Sequence, residues 1–181
     1  MAVAYNSFHS STASGYATTF SVTPGGTPRG VIVFVLTDTG APVSAITYVG
    51  VSMSPVVTAS SVSGELTGAR QEAWFLGAGV PTGTRSIVVT GPASGSPTIT
   101  VVTLTADDDI EVIDSDSVVS ASVSNPSNTL TTGGRTVFAA LSGTSGVDAG
   151  GSITPLTNWT SRQEEDYGAQ VQLTYTYNTI G

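Results

Sequence analysis

The chain has 181 residues, enough for one domain, and no cysteine, which excludes disulfides, cysteine-ligated zinc, iron–sulfur clusters and cysteine nucleophiles. Only 10% of the residues are charged; all five cations are arginines (Arg29, Arg70, Arg85, Arg135, Arg162), and thirteen acids bring the net charge to −8. Such a surface repels a phosphate backbone, so no nucleic-acid partner is expected.

Short β-branched segments bounded by Gly, Pro and Ser recur along the chain, the pattern of strands and turns. In chain order they predict strands over VAYNS (3–7), YATTFSVT (16–23), RGVIVFVLTD (29–38) and AITYVGVSM (45–53). QEAWFLG (71–77), TRSIVVTG (84–91), TITVVTLTAD (98–107) and IEVIDSDSVVSASV (110–123) follow, then RTVFAALSG (135–143) and AQVQLTYTY (169–177). No segment places apolar residues at i, i+3, i+4 and i+7 over three turns, so no long helix is expected. VIVFVLT is apolar on both faces, as a central strand in a two-layer core would be. In the last strand Val171, Leu173, Tyr175 and Tyr177 alternate with Gln172, Thr174 and Thr176, the mark of a half-exposed strand. GAGVPTG between two strands is a hairpin or a crossing from sheet to sheet, Pro81 setting one dihedral and Gly83 permitting a positive one. Residues 142–158 form the predicted long loop. No repeat or break in composition divides the chain, so residues 1–181 are expected to form a single all-β domain, a β-sandwich or barrel. Ser and Thr hydroxyls are expected to supply much of the polar surface. No apolar run reaches the roughly 18 residues of a membrane helix. The start, MAVAYNSFHSS, lacks the basic region and apolar stretch of an export signal.

The stretch TADDDIEVIDSD (105–116) holds six of the thirteen acids. On an extended strand Asp107, Asp109 and Glu111 share one face, which would suit a calcium site or a carboxylate pair. The plainer reading is a polar turn between strands, with Ile110, Val112 and Ile113 returning the chain to the core. No D-x-D-x-D-G loop follows, and Asp108 stands where a glycosidase strand would place an apolar residue. His9, the single histidine, lies in a hydroxyl-rich stretch and is expected at the surface; no nucleophile-elbow sequence accompanies it. No catalytic, cofactor or metal residues are therefore assigned. Trp74, Trp159, Tyr167, Tyr175 and Tyr177 could form a sugar-stacking platform. Of these, Trp74 in AWFL defaults to core packing, leaving Trp159 and Tyr167 as the ligand-binding candidates. RQEEDYG (162–168) reads as a solvated turn or the salt-bridged rim of a subunit contact, and Asn158-Trp159-Thr160 fits a glycosylation sequon.

Tyr48, Gly50, Val51 and Met53, followed by Trp74, Pro81, Gly83, Thr84, Ile87 and Val89, resemble a recurring jelly-roll module of tailed-phage virion proteins over residues 45–105. The resemblance implies an antiparallel two-sheet jelly-roll β-sandwich similar to concanavalin-like lectins, used on virions as a decoration, minor capsid or fibre-tip domain. The expected protein is then a non-enzymatic virion component without a cofactor, made in the host cytoplasm. It would contact the major capsid protein or other virion proteins, as a homo-oligomer and away from any membrane. A lectin-like adhesin that binds a host glycan is the alternative.

Overall fold

The computed structural model describes residues 3–12, 18–37, 41–60, 70–91, 97–112 and 114–115, and the backbone of 137–145, 160–166 and 171–180. These residues contain strands and no helix: β1 (Ala4–Thr12), β2 (Thr18–Val22), β3 (Gly30–Thr37), β4 (Ala45–Tyr48), β5 (Val51–Ser52), β6 (Ser54–Ser60), β7 (Arg70–Leu76), β8 (Arg85–Thr90), β9 (Thr98–Thr105), β10 (Val137–Ser145), β11 (Thr160–Asp166) and β12 (Val171–Ile180). All pairings are antiparallel. One sheet has the order β1-β9-β3-β7-β6, a second β2-β8-β4-β5, and a third β10-β12-β11.

The first two sheets form a sandwich, because each sends the same kind of face inward. Val31, Val33 and Val35 of β3, Trp74 and Leu76 of β7, and Ile99 and Val101 of β9 meet Val22 of β2, Ile46 and Tyr48 of β4, and Ile87 and Val89 of β8. Each such side chain taken fully out of water is worth about 1.5–3 kcal/mol. Alternate residues of the first sheet, with period two, lie on its other face. Phe34, Ala73, Val102 and Leu104 are buried there too, with Ile32, Phe8, Val56, Val57 and Ile110 packed against them. The double burial expected for VIVFVLT is therefore real, and β3 is the central strand of five.

Hydroxyls lie on the surface at Ser21, Thr23, Ser44, Ser52, Ser54, Thr82 and Thr84, but the core holds some as well. Thr37, Thr98, Thr100 and Thr103 are buried. Threonine matches valine in shape and β-propensity, so a strand buries it wherever its hydroxyl finds a partner. The Thr103 hydroxyl hydrogen-bonds Ser7 Oγ at 2.7 Å, and that of Thr37 donates to the Arg70 carbonyl at 3.4 Å.

Several boundaries differ from the sequence reading. AITYVGVSM is two strands, not one, because Val49 (φ 52) and Gly50 (φ 75) turn the chain back on itself. Two successive positive φ values belong to the mirror-image hairpin turn, which matches strand twist but disfavours a β-branched residue such as Val49. Met53 is then buried at a corner where the chain leaves the second sheet and enters the first as β6, a strand the sequence pattern missed. GAGVPTG proves to be a crossing between sheets, with Gly79 (φ 63) and Gly83 (φ 83) taking the conformations that side chains disfavour. RQEEDYG is largely strand rather than a turn: its residues 162–166 belong to β11, in which 163–166 pair with β12. The loop expected over 142–158 gives way at its start to β10, which continues through Ser145.

Residues 110–112 and 114–115 form no strand. The Ile110 N–H donates to the Gly77 carbonyl at 2.8 Å, and the Ser115 hydroxyl to the Val56 carbonyl at 3.3 Å. The chain thus leaves the end of β9, passes the ends of β3 and β7, and arrives at β6, crossing the strands as a strap rather than extending the ladder. Only glycines allow this. A Cβ on Gly77 would lie 1.8 Å from the Ile110 carbonyl oxygen and 2.5 Å from the Phe75 ring, and one on Gly30 would lie 2.9 Å from Ile110 Cδ1.

Gly77→Ala should therefore lower the thermal midpoint more than Gly26→Ala. At Gly26 a methyl group meets no neighbour and suffers only the positive φ of 61°, a cost of about 1–2 kcal/mol. Differential scanning calorimetry of the two variants checks the order.

Candidate functional site

Loops 23–29, 49–50 and 77–84 and the strap from residue 106 gather at one end of the sandwich, because β2, β4, β7 and β9 all finish there. Asn6 Nδ2 donates to the Gly25 carbonyl at 2.7 Å, and the Thr23 and Thr84 hydroxyls lie 3.2 Å apart, so these loops are tied to strands and to one another. Asp107, Asp108 and Asp109 project from this end into solvent. They do not share one face of a strand, since the chain turns there; the Asp108 carboxylate accepts the N–H of Asp109 at 3.0 Å. The Asp114 carboxylate likewise accepts the N–H of Ser115 at 2.8 Å. Among the described residues no three of His, Asp and Glu come together as a metal-binding group. The run is the polar exterior of the strap, with Ile110 packed beneath it and Ser115 tied to Val56. Val112, expected to return to the core, is 44% exposed.

His9 departs from expectation in the other direction. It belongs to β1, opposite Val101, on the face that continues the inner surface of the sheet. Its Nε2 lies 3.2 Å from Ser7 Oγ, which also bonds Thr103, making a half-buried polar chain at the sandwich edge. Removal from water holds the imidazole below its ordinary pKa and so favours the neutral ring.

The most constrained polar group is Glu72, a residue the sequence reading passed over. It lies on β7 facing inward, only 3% exposed. One carboxylate oxygen accepts the Val43 N–H at 3.0 Å and pairs with Arg70 Nε; the other accepts the Trp74 indole N–H at 3.0 Å. Strand periodicity brings Arg70, Glu72 and Trp74 onto one face. Val43 precedes β4, so the carboxylate links the first sheet to the segment entering the second. The sequence signal was present in RQEAWFL: a lone acid in an apolar strand, with a cation and an indole two residues away on either side. This holds Trp74 in the core and removes it from any sugar-stacking surface. Trp159 and Tyr167 lie outside the described residues.

Comparison with protein-family models, curated proteins and solved structures found no match.

Two outcomes follow from this geometry. Glu72→Leu should destabilise the chain by roughly 2–5 kcal/mol, since the buried Val43 N–H and Trp74 N–H lose their acceptor and the half-buried Arg70 guanidinium loses its carboxylate partner. Glu72→Gln, which keeps an amide oxygen, should lose less; denaturant unfolding followed by tryptophan fluorescence measures both. His9, as the single histidine, can be titrated without ambiguity by NMR, and its midpoint should fall below the ordinary value. The unfolded chain then binds the proton more readily than the folded one. Wild-type stability should therefore decline as the pH falls through about 6.5, and His9→Gln should flatten that part of the profile.

Proposed function

We propose that the chain is a non-enzymatic structural protein of a phage virion that decorates and stabilises the capsid shell through protein–protein contacts. The observation carrying this reading is the strand order. With β6 set aside, the sheets run β1-β9-β3-β7 and β2-β8-β4-β5. Strands equally far from the Val49–Gly50 turn are partners: β4 with β5, β3 with β7, β2 with β8 and β1 with β9. This pairing supports reading the sandwich as one long antiparallel ribbon rolled on itself, the winding of a jelly roll, an architecture used in viral capsid and lectin domains.

The residues that resemble the virion module fall at the points where such a ribbon must turn or pack. Gly50 forms the hairpin tip, Met53 the corner between sheets, and Gly83 the crossing into β8; Tyr48, Trp74, Ile87 and Val89 fill the inter-sheet core. Fold alone does not assign a role. The hydroxyl-rich, cation-poor composition supports a particle component whose net negative charge keeps assembled particles apart.

Purified chain should co-sediment with capsids that lack it, saturating at a fixed ratio to the shell, and should form a defined homo-oligomer or acquire one on the shell. A monomer that ignores the shells overturns the proposal. Saturable glycan binding lost in Trp159→Ala would replace it with the adhesin reading.

A further inference from the structure

At the loop-bearing end, the Tyr48 hydroxyl and the Arg85 Nε are buried and have no hydrogen-bond partner among the described residues. Tyr48 is fully buried, on the inward face of β4. It stands opposite Ile87 of β8, which places Arg85 diagonally from it, two residues along on the same face. Diagonal neighbours on paired strands lie within reach of aromatic and long side chains. Burial pushes the Tyr48 phenol pKa up while the Arg85 charge pulls it the other way, so the guanidinium acts on the hydroxyl. A long contact of 3.4 Å from Arg85 Nη1 to the Thr84 carbonyl directs the outer part of the guanidinium along its own loop, leaving Nε turned inward.

Buried groups of this kind are satisfied in folded proteins by protein or by trapped solvent, because stripping them of water without replacement opposes folding. We propose that a single buried water bridges the Tyr48 hydroxyl and the Arg85 Nε–H beneath the Val49–Gly50 turn. Its oxygen accepts from the guanidinium and exchanges a hydrogen bond with the phenol, which both donates and accepts. Water fits this place better than an anion does, since Asp107, Asp108 and Asp109 crowd the same end and the chain carries a net charge of −8. The bridge joins β4 to β8 through their side chains and fixes the base of the hairpin whose Val49 holds a positive φ.

Tyr48→Phe distinguishes the possibilities by the sign of its effect. If the water is present, losing one of its partners should lower the thermal midpoint of the full chain by about 2–4 °C. A crystal structure of the wild type should then show one density peak within hydrogen-bond distance of both atoms. An unchanged or raised midpoint would mean that the hydroxyl had been an unsolvated burden, and would overturn the proposal. So would a crystal structure with no density between the two atoms. A wild-type midpoint that climbs with chloride at constant ionic strength, but does not climb in Tyr48→Phe, would assign the place to an anion and equally overturn it.

Discussion

The structure depends on the antiparallel ladder between β3 and β9, which runs from Gly30 opposite Leu104 to Leu36 opposite Thr98. Every other pairing in the first sheet is either between the two arms of the ribbon or between neighbours joined by a connection. The β3–β9 ladder, with its counterpart between β4 and β8, joins strands that lie far apart in the chain. Both strands are buried on both faces, so neither has a solvated side on which a shift of register could be tolerated. A slip of one residue would exchange the inner set Val31, Val33 and Val35 with the outer set Ile32, Phe34 and Leu36, and misplace both.

Polar groups are arranged around that ladder where the ribbon changes direction. Glu72 collects the Val43 N–H, the Trp74 indole and the Arg70 guanidinium at one transition between the sheets. Ser7, His9 and Thr103 do the corresponding work at the β1 edge. The connections elsewhere are secured by backbone and small residues: the Ile110 N–H on the Gly77 carbonyl, Met53 at the corner, and Gly50, Gly79 and Gly83 at positive φ. Among the described residues Glu72 is the buried acid, held at such a junction, while Asp107, Asp108, Asp109, Glu111 and Asp114 lie in solvent.

The chain's strands were legible to different degrees, and particular residues show why. Gly30–Thr37, Arg70–Leu76, Arg85–Thr90 and Thr98–Thr105 carry dense β-branched or aromatic runs between turn residues, so local pattern located them closely. Ser54–Ser60 went unseen because it follows Met53 without a Gly or Asn break, and Pro55 argues locally against a strand. It forms nonetheless at the edge of its sheet, where a proline N–H is not needed. Ile110–Val112 had the reverse fate. Ile110, Val112 and Ile113 are strand-like, but the Gly77 carbonyl and the space left by Gly30 hold Ile110 in a strap across the strand ends, and no ladder position is left for it. The placement of Glu72 was readable only as an oddity, since a lone acid in an apolar strand signals a buried partnership without naming the partner.

The sequence by itself determined the all-β class, the doubly buried central strand and the absence of cysteine chemistry, because these follow from side-chain period and composition, which act locally. It also singled out the turn at Gly83, since a positive φ is a property of one residue, but ran a single strand through the Val49–Gly50 turn. Only the tertiary structure decided which strands pair, that His9 is half-buried, that Asp107, Asp109 and Glu111 do not line a strand, and that Tyr48 and Arg85 lie diagonally from each other on paired strands at the base of a hairpin. Those outcomes depend on contacts between residues tens of positions apart, whose geometry is set when the strands pair and the two sheets pack.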